Sequence, residues 1–414
     1  MASDQTAPPV IDNPVDSAYA WRRLLISLLL STIGGVGLWS VVVTLPAIEA
    51  EFGISRGDAS IPYTLTLLGF ATGGVILGRM ADRFGIFVPL VFGSIMLFLG
   101  YVLSAQAESL FWFTVTQGVL IGMLGSAATF GPMVADVSLW FDKRRGIAVA
   151  IVASGNYLSG AIWSPIISWG IAEYGWRDTH IGIGIVCLVT MLPLAFMLRR
   201  RADTSDNSTT DAASTHPTPF GISRKTLMAL LIVAGLACCV AMSMPQVHIV
   251  AYCGDLGYGV TRGAEMLSIM LTLGVVSRLV SGLIADKIGG LATLLIGSTL
   301  QCIALFFYLP FDGLVSLYLV SALFGLSQGG IVPSYALIVR KYFPAREAGT
   351  RVSAVLMTTV AGMALGGWMS GEIYDLTGSY RAAFINGIVW NLVNMSIAFW
   401  ILMGSIRGRA VHSH

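Results

Sequence analysis

The chain has 414 residues, of which 55% are hydrophobic and only 11% charged, with a formal net charge of +2. Soluble domains carry roughly a quarter of their residues as Asp, Glu, Lys and Arg, so this composition excludes a water-soluble globular protein and reads as a polytopic membrane protein. The small net charge gives no basis for nucleic-acid binding. The five cysteines (Cys187, Cys238, Cys239, Cys253 and Cys302) lie mostly in apolar segments without metal-ligand spacing, where they read as small hydrophobes, so neither metal nor cofactor is expected.

The first twenty residues are polar and Pro-containing, with no basic stretch ahead of a short apolar core. No cleavable signal is expected, and Leu24 opens a retained first span. Apolar runs of bilayer length then predict an all-α membrane protein of twelve transmembrane helices, at 24–48, 59–79, 86–106, 110–137, 147–172, 179–198, 226–252, 264–285, 290–310, 314–339, 350–372 and 382–406. Between the sixth and seventh lies a long polar, Ser/Thr-rich, Pro-containing segment that reads as a flexible linker. The expected organisation is an N-terminal tail 1–23, a six-helix bundle 24–198, a linker 199–225, a second six-helix bundle 226–406 and a C-terminal tail 407–414.

Basic residues set the orientation. With both termini cytoplasmic, nineteen of the 24 Lys and Arg residues fall on the inner side and four (Arg56, Arg177, Arg262 and Arg381) on the outer side. That asymmetry follows the positive-inside rule and predicts a multi-pass protein of a plasma or inner membrane, with tails and linker cytoplasmic.

The remaining basic residue, Arg278, falls in the apolar run Met266–Ala285, MLSIMLTLGVVSRLVSGLIA. It stands about 12 Å of helix rise short of the next charge, Asp286. An arginine at such depth costs roughly 2.5–3.5 kcal/mol on insertion scales, and no other predicted span has a charge well inside it. A permanent cation with a planar fork suits a carboxylate, which makes Arg278 the candidate anion site. The bland alternatives are neutralisation by backbone carbonyls or a helix end, or snorkelling to the inner face.

The two halves repeat. Gly78-Arg-Met-Ala-Asp82-Arg83-Phe-Gly85 follows the second span, and Gly282-Leu-Ile-Ala-Asp286-Lys287-Ile-Gly289 follows the eighth, 204 positions later. Trp176-Arg177 recurs at the same offset as Tyr380-Arg381. A parallel repeat of six helices around a linker is the plan of a rocking-bundle transporter with its site between the halves.

The doubled GxxxD[RK]xG loop in a twelve-span chain resembles the major facilitator superfamily over essentially its whole length. The resemblance implies that fold, alternating access, and a gate latch formed by Gly78, Asp82, Arg83, Gly85, Asp286 and Lys287. Arg278 in the eighth span, with Tyr19-Ala-Trp21 before the first, looks like the monocarboxylate porters and the related oxalate–formate antiporters. In those families the equivalent arginine holds the substrate carboxylate. This chain departs from them in having Gly274 where animal porters carry an aspartate, Trp39-Ser40 near where they carry a lysine, and no Lys or Arg in Val352–Gly371. One buried cation suits a monoanion better than a dianion, whose second carboxylate would be desolvated unpaired.

An organic acid also needs an apolar wall. Trp39, Phe130, Tyr157 and Tyr335 fall at interior depths of the first, fourth, fifth and tenth spans, the cavity-lining helices the resemblance implies, although packing accounts for each equally well. Tyr63 is nearer the outer side, where it reads as part of an external gate, and Gln117 and Gln328 suit substrate binding or interhelical hydrogen bonding. The candidates for proton coupling are His248 and Asp255, seven residues apart near the outer end of the seventh span. Glu265, Glu372 and Asp375 read as helix-end caps or outer-gate carboxylates.

The expected function is therefore secondary active transport of small monocarboxylates such as lactate or pyruvate, by a monomer in the lipid bilayer. Proton symport is expected because a co-transported proton balances the charge of the anion. Oxalate/formate-like anion exchange is the alternative, and drug efflux a weaker one. No nucleophile–base pair or buried metal cluster points to an enzyme.

Overall fold

The structure is a computed structural model describing residues 15–201 and 218–412, with side chains undescribed at 345, 346, 348–350 and 408–412. The centre of the predicted linker, the first fourteen residues, the last two, and the side chain of Arg346 lie outside this range. The described residues are helical almost throughout, and no strand occurs among them.

Eleven helices among the described residues are long and apolar enough to cross a membrane. One of them, Arg145–Phe196, has 52 residues. At 1.5 Å per residue it would run about 78 Å, far more than the roughly 30 Å apolar core of a bilayer. It breaks at Gly175 (φ 80°, ψ 164°), the residue before Trp176-Arg177, so it makes two crossings and the total is twelve.

Serine side chains start three of the spans. Ser17, Ser55 and Ser223 accept hydrogen bonds from the backbone N–H groups of Ala20, Asp58 and Thr226, satisfying donors that a helix start leaves free. The first span is longer than the sequence suggests. It runs from Ala18 to Phe52 through a turn at Gly35, so Tyr19, Trp21 and Arg23 lie on the helix. The second span, Arg56–Phe84, likewise exceeds its prediction by roughly a turn at each end.

The fourth and tenth spans are discontinuous. Leu110–Val115 passes into wide π-type turns over Thr116–Gly125 and a tight 3₁₀ turn over Ser126–Thr129, and the helix resumes at Gly131–Leu139. The tenth stops at Gln328 and restarts at Ile331 across Gly329-Gly330. Broken helices of this kind are tolerated at membrane depth only where protein surrounds them or a cavity adjoins them.

The repeat extends to backbone geometry. Gly85 (φ 82°, ψ 162°) ends the second span and Gly289 (φ 84°, ψ 161°) ends the eighth, each with its N–H bonded to the carbonyl four residues back, in Ala81 and Ala285. A positive φ there is open to glycine and strained for other residues, which accounts for the last position of the motif in both halves.

Each half is held together by polar groups inside an apolar bundle. In the first, His180 lies between Ser104 Oγ (2.8 Å) and Thr44 Oγ1 (3.3 Å), and Ser40 pairs with Tyr101 (2.8 Å). In the second, Tyr335 donates to Asn394 Oδ1 (2.8 Å), whose amide donates to Ser298 (2.7 Å). The halves meet along a seam where the second span packs on the eleventh and the fifth on the eighth.

Candidate functional site

Arg278 stands on the eighth span, Val260–Ile288, where that span packs closely on the broken tenth. Ser277 donates to the Leu326 carbonyl (2.6 Å) and accepts from the Gly329 N–H (3.2 Å). A Cβ on Gly329 would overlap the Arg278 backbone nitrogen and the Gly274 carbonyl, so glycine is required for this approach.

The side chain of Arg278 crosses the seam. Its Nη1 donates to the Ala153 carbonyl of the fifth span (2.8 Å), and its Cζ sits 4.3 Å from the centre of the Tyr157 ring. The Nε is buried with no hydrogen-bond partner, and among the described residues no carboxylate lies within ion-pair distance of the guanidinium. A carbonyl and an aromatic face supply partial negative charge but leave the formal charge unneutralised. The backbone-carbonyl alternative is thus realised for one N–H group only, and the guanidinium retains donors for an anion.

The fifth and eighth spans run antiparallel in a regular register. Ser268 bonds the Ala161 carbonyl, Leu271 fills the space beside Gly160, Gly274 faces Tyr157, and Arg278 reaches Ala153. Trp39 of the first span also packs on Gly160, and its indole N–H donates to the Asn156 carbonyl (2.9 Å) and side-chain Oδ1 (3.3 Å). A Cβ on Gly274 would lie 3.1 Å from Gln328 Nε2 and 3.3 Å from Tyr157 Cδ2. Gln328 itself is taken up in interhelical bonding, to Gln246 and to the Met270 carbonyl (3.3 Å).

Of the four aromatic candidates, Tyr157 lies against Arg278, and Trp39 reaches the same helix at Asn156 and Gly160. Phe130 pairs with Phe70 of the second span, ring centres 5.8 Å apart, at the break in the fourth. Tyr335 points into its own half, toward Asn394, and does not join the cluster.

The face opposite the basic loops is latched across the seam. Arg56, at the start of the second span, donates to Glu49 (2.7 and 3.1 Å), to Asp255 of the seventh span (2.7 and 3.3 Å) and to the Tyr380 hydroxyl (2.9 Å). Asp375 of the eleventh span accepts from the backbone N–H groups of Arg56 (3.0 Å) and Gly57 (2.6 Å), capping the second span from the other half. Asp375 is thus a helix cap that also crosses the seam. Thr64 donates to the Ala364 carbonyl (3.0 Å), and Tyr63 lies against Gly367. Glu265 stays local, on Arg262 (2.9 Å) and Tyr318.

His248 is fully buried behind this latch. Its Nε2 is 2.7 Å from the Gly367 carbonyl and must donate there, so in the neutral ring Nδ1 accepts from the Tyr380 hydroxyl (3.0 Å). Tyr380 in turn accepts from Arg56. His248 and Asp255, adjacent by sequence periodicity, are therefore joined through Tyr380 and Arg56.

On the basic face, Asp82, Arg83, Asp286 and Lys287 are exposed, Gly78 and Gly85 half-buried, and neither aspartate forms an ion pair among the described residues. Arg201 donates to the Arg83 carbonyl within the same half (2.7 Å). Among the described residues, therefore, the motif aspartates form no ion pair across the seam, whereas Arg56 does so on the opposite face.

One buried pair escapes a sequence reading. Arg23 is 2% exposed and forms a two-pronged ion pair with Asp136 of the fourth span (2.9 and 2.8 Å), with Trp140 stacked at 4.5 Å. By sequence, Arg23 ends the predicted tail 1–23 and Asp136 lies one residue from the end of the predicted span 110–137, so neither stands out as a charge inside the bundle.

The family model described as Major Facilitator Superfamily matches residues 27–350. Among curated relatives, Monocarboxylate transporter 13 of Rattus norvegicus is 25% identical over 90% of this chain and 86% of its own length. Monocarboxylate transporter 4 of Gallus gallus is 23% identical over 89% of this chain and 80% of its own, and the MFS-type transporter pynF of Aspergillus niger is 25% identical over 79% and 75%. Among solved structures, a bacterial homologue of the human lysosomal transporter Spinster, inward-facing and occupied, superposes with a TM-score of 0.70 at 15% identity, covering 94% of this chain and 97% of its own. The nucleoside transporter NupG, in a mutant form, gives 0.68 at 12% identity, covering 92% and 99%. At these identities the structural likeness establishes the fold alone.

Proposed function

Because the chain belongs to the Major Facilitator Superfamily, we propose that it is a secondary active transporter of small monocarboxylates of the lactate and pyruvate kind. The observation that carries this reading is Arg278, which crosses the seam to Ala153 and Tyr157 with no carboxylate partner among the described residues. A substrate carboxylate on the free edge of the guanidinium gains charge-assisted hydrogen bonds in a site of low dielectric. Trp39 and Tyr157 supply the apolar wall. One cation favours a monoanion over oxalate-like dianions, and relatives named as monocarboxylate transporters support the same choice.

Alternating access then follows from the seam. Arg278 belongs to the second half and its resting partners to the first, so a carboxylate taking over the guanidinium changes what joins the halves at mid-membrane. In our reading the basic face and both termini are cytoplasmic, and the structure is an inward-open state with its outer face closed by Arg56.

Proton coupling is assigned to His248 and Asp255. Protonating Asp255 removes the charge that holds Arg56. Protonating His248 places a cation behind Tyr380, turns Nδ1 into a donor and deprives the tyrosine hydroxyl of its acceptor. Either event weakens the outer latch, so a proton at that face favours its opening. The protein acts as a monomer, with the substrate acid and the proton as its ligands.

The test is uptake of labelled L-lactate by proteoliposomes, with and without an inward proton gradient. Gradient-driven accumulation that is lost in Arg278→Ala is the expected result. Uptake that ignores the gradient and requires internal oxalate or formate would make the protein an exchanger, and uptake undiminished in Arg278→Ala would remove the site assignment.

A further inference from the structure

The geometry points to Asn156 as a specificity-determining residue whose side-chain amide donates to the oxygen on carbon 2 of the substrate, selecting 2-hydroxy and 2-oxo acids over unsubstituted ones. This inference rests on the reading of Arg278 as the carboxylate site.

Position on the helix is the first argument. On the fifth span, Gly155 and Ser159 face the first span, at Ser31 and Gly35, while Ala153, Tyr157 and Gly160 face the eighth. Ile162 is open to the outside of the bundle. At about 100° per residue, Asn156 falls in the wedge between the first and eighth spans, on the side away from Ile162. It is half-buried between two buried neighbours, Gly155 and Tyr157. Its backbone is also one turn from the Ala153 carbonyl that holds Arg278, and its next residue carries the ring beneath the guanidinium.

The orientation of the amide is the second argument. Trp39 Nε1 is a donor only, so the side-chain atom 3.3 Å from it must be the Asn156 oxygen. That contact fixes which way the amide points and leaves its NH₂ group free, since no hydrogen bond from it is formed among the described residues. An asparagine whose oxygen is held by an indole and whose nitrogen is unpaired at the edge of a cation site presents a neutral donor beside a charged one.

The chemistry matches a 2-oxygenated acid. The free edge of Arg278 satisfies the carboxylate, and the remaining polar atom of lactate or pyruvate is the oxygen on the adjacent carbon. A keto oxygen accepts from the Asn156 amide, and so does the hydroxyl oxygen of a hydroxy acid. Propionate has no atom there, so its entry would leave the amide desolvated and unpaired.

The experiment compares wild type and Asn156→Ala, full-length in proteoliposomes, by KM for labelled pyruvate, L-lactate and propionate. Asn156→Ala leaves the backbone carbonyl that accepts from Trp39, so the indole keeps its nearer partner, at 2.9 Å. In wild type, pyruvate and lactate should have KM values about tenfold below that of propionate, the scale of one hydrogen bond. Asn156→Ala should raise the first two and, with no amide left to strand, lower propionate, so that the roughly tenfold discrimination disappears. Equal shifts for all three acids, or a wild type that does not discriminate, would overturn the role of Asn156 while leaving the Arg278 site intact. A wild type that takes up none of the three would overturn both.

Discussion

Arg56 and Asp255, 199 positions apart in sequence, lie 2.7 Å apart across the seam and join the start of the second span to the end of the seventh. The same guanidinium holds Glu49 and Tyr380, and its backbone N–H is capped by Asp375, so one residue gathers four partners on the closed face. Replacing it tests whether the face is a gate. Arg56→Ala loses charged hydrogen bonds of about 1.5–3 kcal/mol each, and even one such loss shifts the conformational balance roughly tenfold to a hundredfold toward opening at that face. Cysteine labelling at Thr64, which bonds across the seam, should accelerate accordingly from the outer side. Unchanged labelling would make the cluster a structural brace.

His248→Gln separates proton sensing from hydrogen bonding. A glutamine amide can donate to the Gly367 carbonyl and accept from Tyr380, but it takes up no proton in the physiological range. If His248 carries the coupling proton, uptake by wild type rises as the outer pH falls, and this variant flattens the profile while retaining uptake at the alkaline end. An unaltered profile would transfer the role to Asp255, with Asp255→Asn as the next variant.

Gly329→Ala should damage the site from behind. Its methyl group would overlap the Arg278 backbone nitrogen and the Gly274 carbonyl, neither of which moves without shifting a helix. Overpacking of this kind costs about 1–3 kcal/mol. The detergent-solubilised variant should melt several degrees lower and transport poorly. Gly182→Ala, where a Cβ meets nothing within 4 Å, should match wild type.

Asp136→Asn should destabilise the first half by leaving Arg23 as a buried charge without its counter-ion. Loss of one partner from such a pair costs about 3–5 kcal/mol, read as lost expression and a lower melting temperature. The double variant Arg23→Met/Asp136→Leu should recover most of the loss, because it removes both charges together. A single variant as stable as wild type would show that Tyr19, Leu198 and Trp140, the other partners of Arg23, suffice to hold it.

What could be read from sequence divides by the range of the interaction. Arg278 is conspicuous because a charge inside an apolar run needs no tertiary information to be noticed. Gly85 and Gly289 are legible because the motif repeats, and the structure gives them the same left-handed backbone. Aromatic residues are harder. Depth along a helix follows from counting residues, whereas the direction a ring points depends on neighbours hundreds of positions away, so Tyr157 and Tyr335 look alike in sequence and face different surroundings. Pairings such as Arg56 with Asp255 and Arg23 with Asp136 leave no local pattern. The contact that orients Asn156 is hidden for the same reason, since it comes from Trp39, 117 positions earlier.

The lone guanidinium at mid-membrane has an electrical consequence. An elementary charge crossing the whole membrane field exchanges about 2.3 kcal/mol per 100 mV, and Arg278 exchanges the fraction of that through which the rocking halves carry it. With a carboxylate on it, the moving centre is neutral and its reorientation is indifferent to voltage. Without one it carries a positive charge, which a negative interior draws toward the inward-facing state. Exchange of acid for acid would then ignore voltage, while net uptake, which requires the unloaded carrier to return outward, would slow as the interior becomes more negative. The voltage sensitivity belongs to the return journey alone where the acid crosses the field without a proton beside it, whereas a proton travelling with the acid restores a positive charge to the loaded centre and makes both journeys sense voltage.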